Sequence, residues 1–165
     1  MSEKLLFQQM NFIRKRTIAA LDATPDSLAR VIPEGLKNNL LWNFGHIFVV
    51  QDRVLYSFLN EKNDVPPHYQ ELFKMGSSPR DWTTEPPTLL ELRTYLEEQP
   101  DRIIKTFSGR LSEVGEKPFN LGPDTTFTRV EEVLLFSIWH EGLHQGAINS
   151  MKRALGVEDL WAVVD

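Results

Sequence analysis

A chain of 165 residues is long enough to bury one hydrophobic core, and no linker marks a second, so one domain over 1–165 is expected. Eighteen basic against twenty-three acidic residues leave a formal net charge of −5, which argues against the basic stripe of a nucleic-acid binder. No cysteine is present, so disulfides and thiolate metal sites are excluded, and a reducing cytoplasm is the expected compartment.

In chain order, the first predicted helix runs from about Glu3 to Asp22, with Leu6, Met10, Ile13, Thr17 and Ala20 at steps of three and four. It lacks the uninterrupted apolar run of a secretory signal. Its short basic run, Arg14-Lys15-Arg16, reads as a solvated helix face. Pro25 ends the helix, and Asp26-Ser27 caps a short turn that closes before Pro33.

The second long helix is expected from about Asn38 to Asn60, with Asn38 or Asn39 as N-cap and Leu40, Phe44, Ile47, Val54 and Phe58 on one side. Leu40 to Leu59 is the most apolar stretch of the chain. It carries Asn43, His46, Gln51, Asp52 and Arg53, which excludes an ordinary membrane span. A soluble protein with no membrane partner is expected.

Residues 61–87 form a long connection with Pro66-Pro67, Gly76-Ser77-Ser78-Pro79 and Pro86-Pro87, in which His68 to Lys74 makes a helical turn or two. Connections of this length in a small domain are often functional. Thr88 and Glu91 form a capping box for the third long helix, whose interior Pro100 predicts a kink or short break. Gly109 to Phe127 reads as irregular, and no segment alternates like a half-buried strand. The fourth long helix begins after Thr128, with Glu131 and Glu132 in its first turn, and ends near Arg153 and Gly156. The expected fold class is all-α, an antiparallel four-helix bundle with long crossover connections.

His140 and His144 stand one turn apart on the fourth helix, about 40° apart around its axis. Their stripe, with Val133, Ser137, Ala147 and Met151, merges with the apolar face, so both imidazoles point inward. Buried neutral histidines need partners for their ring nitrogens, and a metal ion supplies one. His46 borders an apolar face of the second helix, beside Gly45, which admits a ligand or a close neighbour. His46, His140 and His144 together predict a three-imidazole metal site with open coordination. His68, next to two prolines, reads as a surface residue.

His140-Glu141-Gly142-Leu143-His144 matches the H-E-x-x-H of zinc proteases letter for letter. The following Gln145-Gly146-Ala147-Ile148-Asn149 supplies no third histidine, Glu158 lies past the helix end, and no substrate-binding sheet edge is predicted. A protease is therefore not expected. Glu141 remains a candidate general base or outer partner of the metal, against the plain alternative of an exposed helix carboxylate.

Three stretches carry a family resemblance. They are Leu41-Trp42-Asn43-Phe44-Gly45-His46-Ile47, then Thr128 to Leu134, then His140-Glu141-Gly142-Leu143-His144-Gln145-Gly146-Ala147-Ile148 leading to Arg153-Ala154-Leu155-Gly156. Phe73-Lys74-Met75-Gly76-Ser77-Ser78-Pro79 resembles a connecting segment in one branch of the same family. In this order and spacing the chain resembles the DinB/YfiT-like superfamily over nearly its whole length. The resemblance implies a four-helix bundle of up-down-down-up topology, a zinc or nickel ion on His46, His140 and His144, and a homodimer. Relatives include thiol S-transferases, a thiol-dependent isomerase and proteins described as metal-dependent hydrolases.

Three neutral imidazoles leave the ion's charge uncompensated, so a coordinated thiol loses its proton and a coordinated water falls towards a pKa of ~7. Imidazole suits zinc and nickel alike. The readings open at this point are a transferase activating a small thiol cosubstrate for attack on an electrophile, a hydrolase, and a non-catalytic metal-binding module.

Overall fold

The computed structural model describes residues 2–163. Helix α1 (Glu3–Asp22) begins where the Ser2 hydroxyl accepts from the Leu5 amide. Its buried stripe is Leu6, Met10, Arg14, Thr17 and Leu21, at steps of three and four. Arg14 is thus no part of a solvated face: it is 2% exposed, while Lys15 and Arg16 face outward. A short α2 (Asp26–Ala29) precedes α3 (Leu40–Phe58), which Asn39 caps by accepting from the Trp42 amide at 2.8 Å.

The long connection holds α4 (Pro67–Phe73) and a 3₁₀ turn, Pro79–Asp81. Helix α5 (Leu89–Phe107) opens with the expected capping box of Thr88 and Glu91. It runs unbroken through Pro100, so of the kink or short break expected there the break is absent. A proline leaves the carbonyl four residues earlier without its helical donor. Here that carbonyl, Leu96 O, accepts instead from Arg14 Nη1 at 2.8 Å. The buried guanidinium repairs the ladder from a neighbouring helix.

Residues 109–127 are not all irregular. Strands β1 (Val114–Leu121) and β2 (Thr125–Arg129) pair antiparallel, with Phe119 opposite Phe127 and a register shift between Val114 and Phe119. Pro118 is tolerated because both strands of a two-stranded sheet are edges. Gly122 takes φ +69° in the connecting turn. Helix α6 (Val130–Ala154) follows at once, its first turn secured by the Glu132 carboxylate, which accepts from the amides of Thr128 and Arg129.

Among the described residues the fold is thus six α-helices and one small sheet. Helices α1 and α3 each pack against both α5 and α6, α4 packs on α3, and the hairpin lies against α3 and α6. Two apolar clusters form the core. One joins Leu40, Phe44, Ile47 and Phe48 to Phe73, Leu92, Leu96 and Ile148. The other joins Met10, Leu55, Ile103 and Phe107 to Val130, Val133 and Leu134. No described helix is long and apolar enough to cross a membrane.

Candidate metal centre

Each candidate ligand is placed by its helix. His46 lies in the middle of α3 and is 4% exposed, while His140 and His144 sit one turn apart on α6, partly buried. Because α3 packs on α6, the three rings meet. One ligand nitrogen from each of His46, His140 and His144 lies within 4.8 Å of the others, a grouping that could hold a metal ion. The exposed His68 is not part of it, and neither are Glu141 or Glu158.

Hydrogen bonds select the ring nitrogens. His46 Nδ1 is 2.6 Å from Phe73 O, a carbonyl that can only accept, so Nδ1 carries the proton and Nε2 keeps its lone pair. Phe73 O belongs to the last turn of α4, where carbonyls lack helical partners. His144 Nδ1 is 2.8 Å from Asn43 Oδ1. The Asn43 amide is oriented by its Nδ2, which donates to Asn39 O at 2.8 Å, so His144 too is the Nδ1–H tautomer with Nε2 free. Such outer partners set ring orientation and ligand basicity in metal sites. The residues therefore fit a divalent ion: three neutral imidazoles converge, and two have their second nitrogen already engaged.

The long connection supplies this support. An added Cβ on Gly45 would stand 2.5 Å from Phe73 Cδ1 and Cε1. Glycine at that point lets the Phe73 ring seat against α3 and brings its carbonyl to His46. The close neighbour expected beside Gly45 is thus Phe73. Ser77 Oγ accepts from Trp42 Nε1 at 2.9 Å, and the Trp42 ring stacks on His46 with centroids 4.4 Å apart. Phe136 stands 5.9 Å from the His140 ring and packs against Phe119 and Phe127 of the hairpin.

Burial disfavours charge on all three rings. It lowers the pKa of His46, and with repulsion from His46 it brings His140 to about 4. Burial and repulsion from His140 and His46 bring His144 to about 3. At neutral pH the lone pairs are free to bind a cation.

Glu141 is neither an exposed carboxylate nor aimed at the imidazoles. It is 1% exposed and turned towards α1. Its Oε1 accepts from Arg14 Nε at 2.9 Å and from the Thr17 hydroxyl at 2.6 Å, and its Oε2 accepts from Arg14 Nη2 at 3.0 Å. Sequence reasoning missed Asn43 and Phe73 as supports. A polar residue one turn before His46 in an apolar run was the signal for Asn43. A backbone carbonyl leaves none, and only Gly45 hinted at its approach.

A crystal structure described as the conserved protein of locus from Enterococcus faecalis is similar at a TM-score of 0.64 and 18% identity, over 93% of this chain and 97% of that one. At that identity the likeness concerns the fold alone. No curated protein matches the chain. The sequence model of the DinB superfamily matches residues 9–148, and the chain belongs to that superfamily.

Proposed function

We propose that this chain holds zinc or nickel on His46, His140 and His144 and acts as a metal-dependent transferase on a small thiol cosubstrate. The observation that carries the reading is the convergence of the three ring nitrogens within 4.8 Å, with Asn43 and Phe73 fixing two tautomers. A divalent ion there would act as a Lewis acid and keep a thiol deprotonated at neutral pH. The chain has no cysteine, so the thiol comes from a cosubstrate.

One observation favours thiol transfer over hydrolysis. A metal-bound water with a pKa of ~7 is only partly ionised at neutral pH and gains from a nearby base, whereas a coordinated thiol is deprotonated outright. Among the described residues no carboxylate joins the imidazole group, and the Glu141 oxygens are occupied by Arg14 and Thr17. The same occupation removes the base that a protease reading of H-E-x-x-H requires. We further read α1, α3, α5 and α6 as an antiparallel four-helix bundle and the chain as a homodimer. The exposed apolar stripe Leu135, Trp139 and Leu143 on α6 supports the dimer.

The test is cobalt substitution followed by titration with a small thiol. One cobalt per chain and a thiolate-to-cobalt charge-transfer band are expected. His46→Ala, His140→Ala and His144→Ala should each lose the metal, and His68→Ala should retain it. Full metal stoichiometry in His46→Ala would overturn the ligand set. Cobalt binding without a thiol band would overturn the transferase reading.

A further inference from the structure

We propose that Arg14 and Glu141 are positioning residues of the imidazole centre, locking the rotation of α6 so that His140 and His144 face His46. The proposal rests on the metal reading above.

Arg14 places its five N–H groups on five acceptors. They are Glu141 Oε1 and Oε2, Gln51 Oε1 at 2.7 Å, Gln99 Oε1 at 2.8 Å and Leu96 O at 2.8 Å. These acceptors lie on α3, α5 and α6, so one side chain of α1 ties all four long helices. Gln51 continues the chain of bonds, donating from Nε2 to Ser137 Oγ of α6 at 3.2 Å. Gln145 Nε2 donates back to Ile13 O and Thr17 Oγ1, both at 2.7 Å. Ser137, Glu141 and Gln145 thus form one polar strip along α6, and at about 100° per residue it runs beside the strip of His140 and His144.

The geometry gives this strip a purpose. The hydrophobic driving force is non-directional, whereas hydrogen bonds are directional and resist rotation of the helix that carries them. At a side-chain radius of about 5–6 Å, turning a helix by about 10° moves its outer atoms by about 1 Å. A working site tolerates only about 0.5 Å. Stability alone accounts poorly for so complete a buried ion pair, because apolar replacements of such pairs are often neutral or stabilising.

The experiment compares cobalt affinity and the visible cobalt spectrum in the wild type, Glu141→Gln, Thr17→Val and, as control, Ile103→Ala. Ile103 is fully buried in the other half of the core, away from the imidazoles. All are measured where far-UV helicity matches the wild type. Glu141→Gln should bind cobalt about 10-fold more weakly, with a shifted visible band, because a turned α6 displaces both of its ligands from the His46 side. Thr17→Val should move both readouts in the same direction by less, and it decides alone if Glu141→Gln does not fold. Ile103→Ala should match the wild type. Wild-type affinity and spectrum in the two site variants would overturn the proposal, as would an equal loss in Ile103→Ala. A wild type that binds no cobalt would instead overturn the metal reading beneath it.

Discussion

At the scale of single residues, the three imidazoles make stability depend on pH in a definite direction. In the unfolded chain a histidine titrates near its ordinary value of 6.5, whereas burial and mutual repulsion lower His140 to about 4 and His144 to about 3 in the fold. Between those limits the unfolded state binds more protons, so stability is fully present above pH 6.5 and is lost as pH falls. The metal-free protein should show a falling urea midpoint from pH 6.5 to about 5, a range in which ordinary carboxylates stay ionised. His144→Gln should flatten that slope. An unchanged slope in His144→Gln would mean that His144 titrates in the fold as it does in the unfolded chain. The histidines themselves were legible, because ligand type, helical spacing and an inward face coincide in the sequence. Their supports were less so. Arg14 sits four residues from Met10 and three from Thr17, on the buried face, but its four partner residues are scattered from Gln51 to Glu141. No single sequence displays a pairing across such separations, so a charged residue reads as solvated by default.

At the scale of elements, the contact between α3 and α4 decides whether His46 is held. Gly45→Ala would drive a Cβ to within 2.5 Å of the Phe73 ring, which is fully buried and has little room to retreat. Overpacking of this kind costs about 1–3 kcal/mol. At about 2–4 °C per kcal/mol for a chain of this size, thermal melting should show a loss of several degrees. Metal affinity should fall with it, because Phe73 O moves away from His46 Nδ1. Retained stability with unchanged metal affinity would show that the α3–α4 contact does not orient the ligand. Caps and periods made the long helices legible: Asn39, the Thr88–Glu91 box and Glu132 stand where the observed helices begin. The hairpin was hidden because both faces of β1 are largely exposed and a register shift interrupts its alternation. The β-branched and aromatic run Thr125-Thr126-Phe127-Thr128 and the turn residues Gly122-Pro123-Asp124 were the available signals. That α5 would run unbroken through Pro100 was not legible either, since the donor that replaces the missing N–H comes from α1.

At the scale of the whole molecule, the question is whether the metal organises the fold or occupies a site that the fold already provides. Both apolar clusters are built without a histidine, and the polar links through Arg14 join the four long helices without using one. The candidate ligands come from only two of those helices, α3 and α6, which pack on each other along their lengths. A chain of this length buries enough surface to fold alone, unlike a small zinc finger. Chelation should therefore leave far-UV helicity nearly unchanged at room temperature. The metal still adds stability, because an ion bound only by the native state contributes about 2.7 kcal/mol at about 100 times its Kd. At about 2–4 °C per kcal/mol, removing it should lower the melting temperature by about 5–11 °C. His46→Ala, already unable to hold the ion, should show no further drop with chelator. Loss of most of the helical signal on chelation at room temperature would show the ion holding α3 and α6 together. The imidazole centre would then be a structural clamp, closed to the open coordination that a thiol cosubstrate requires.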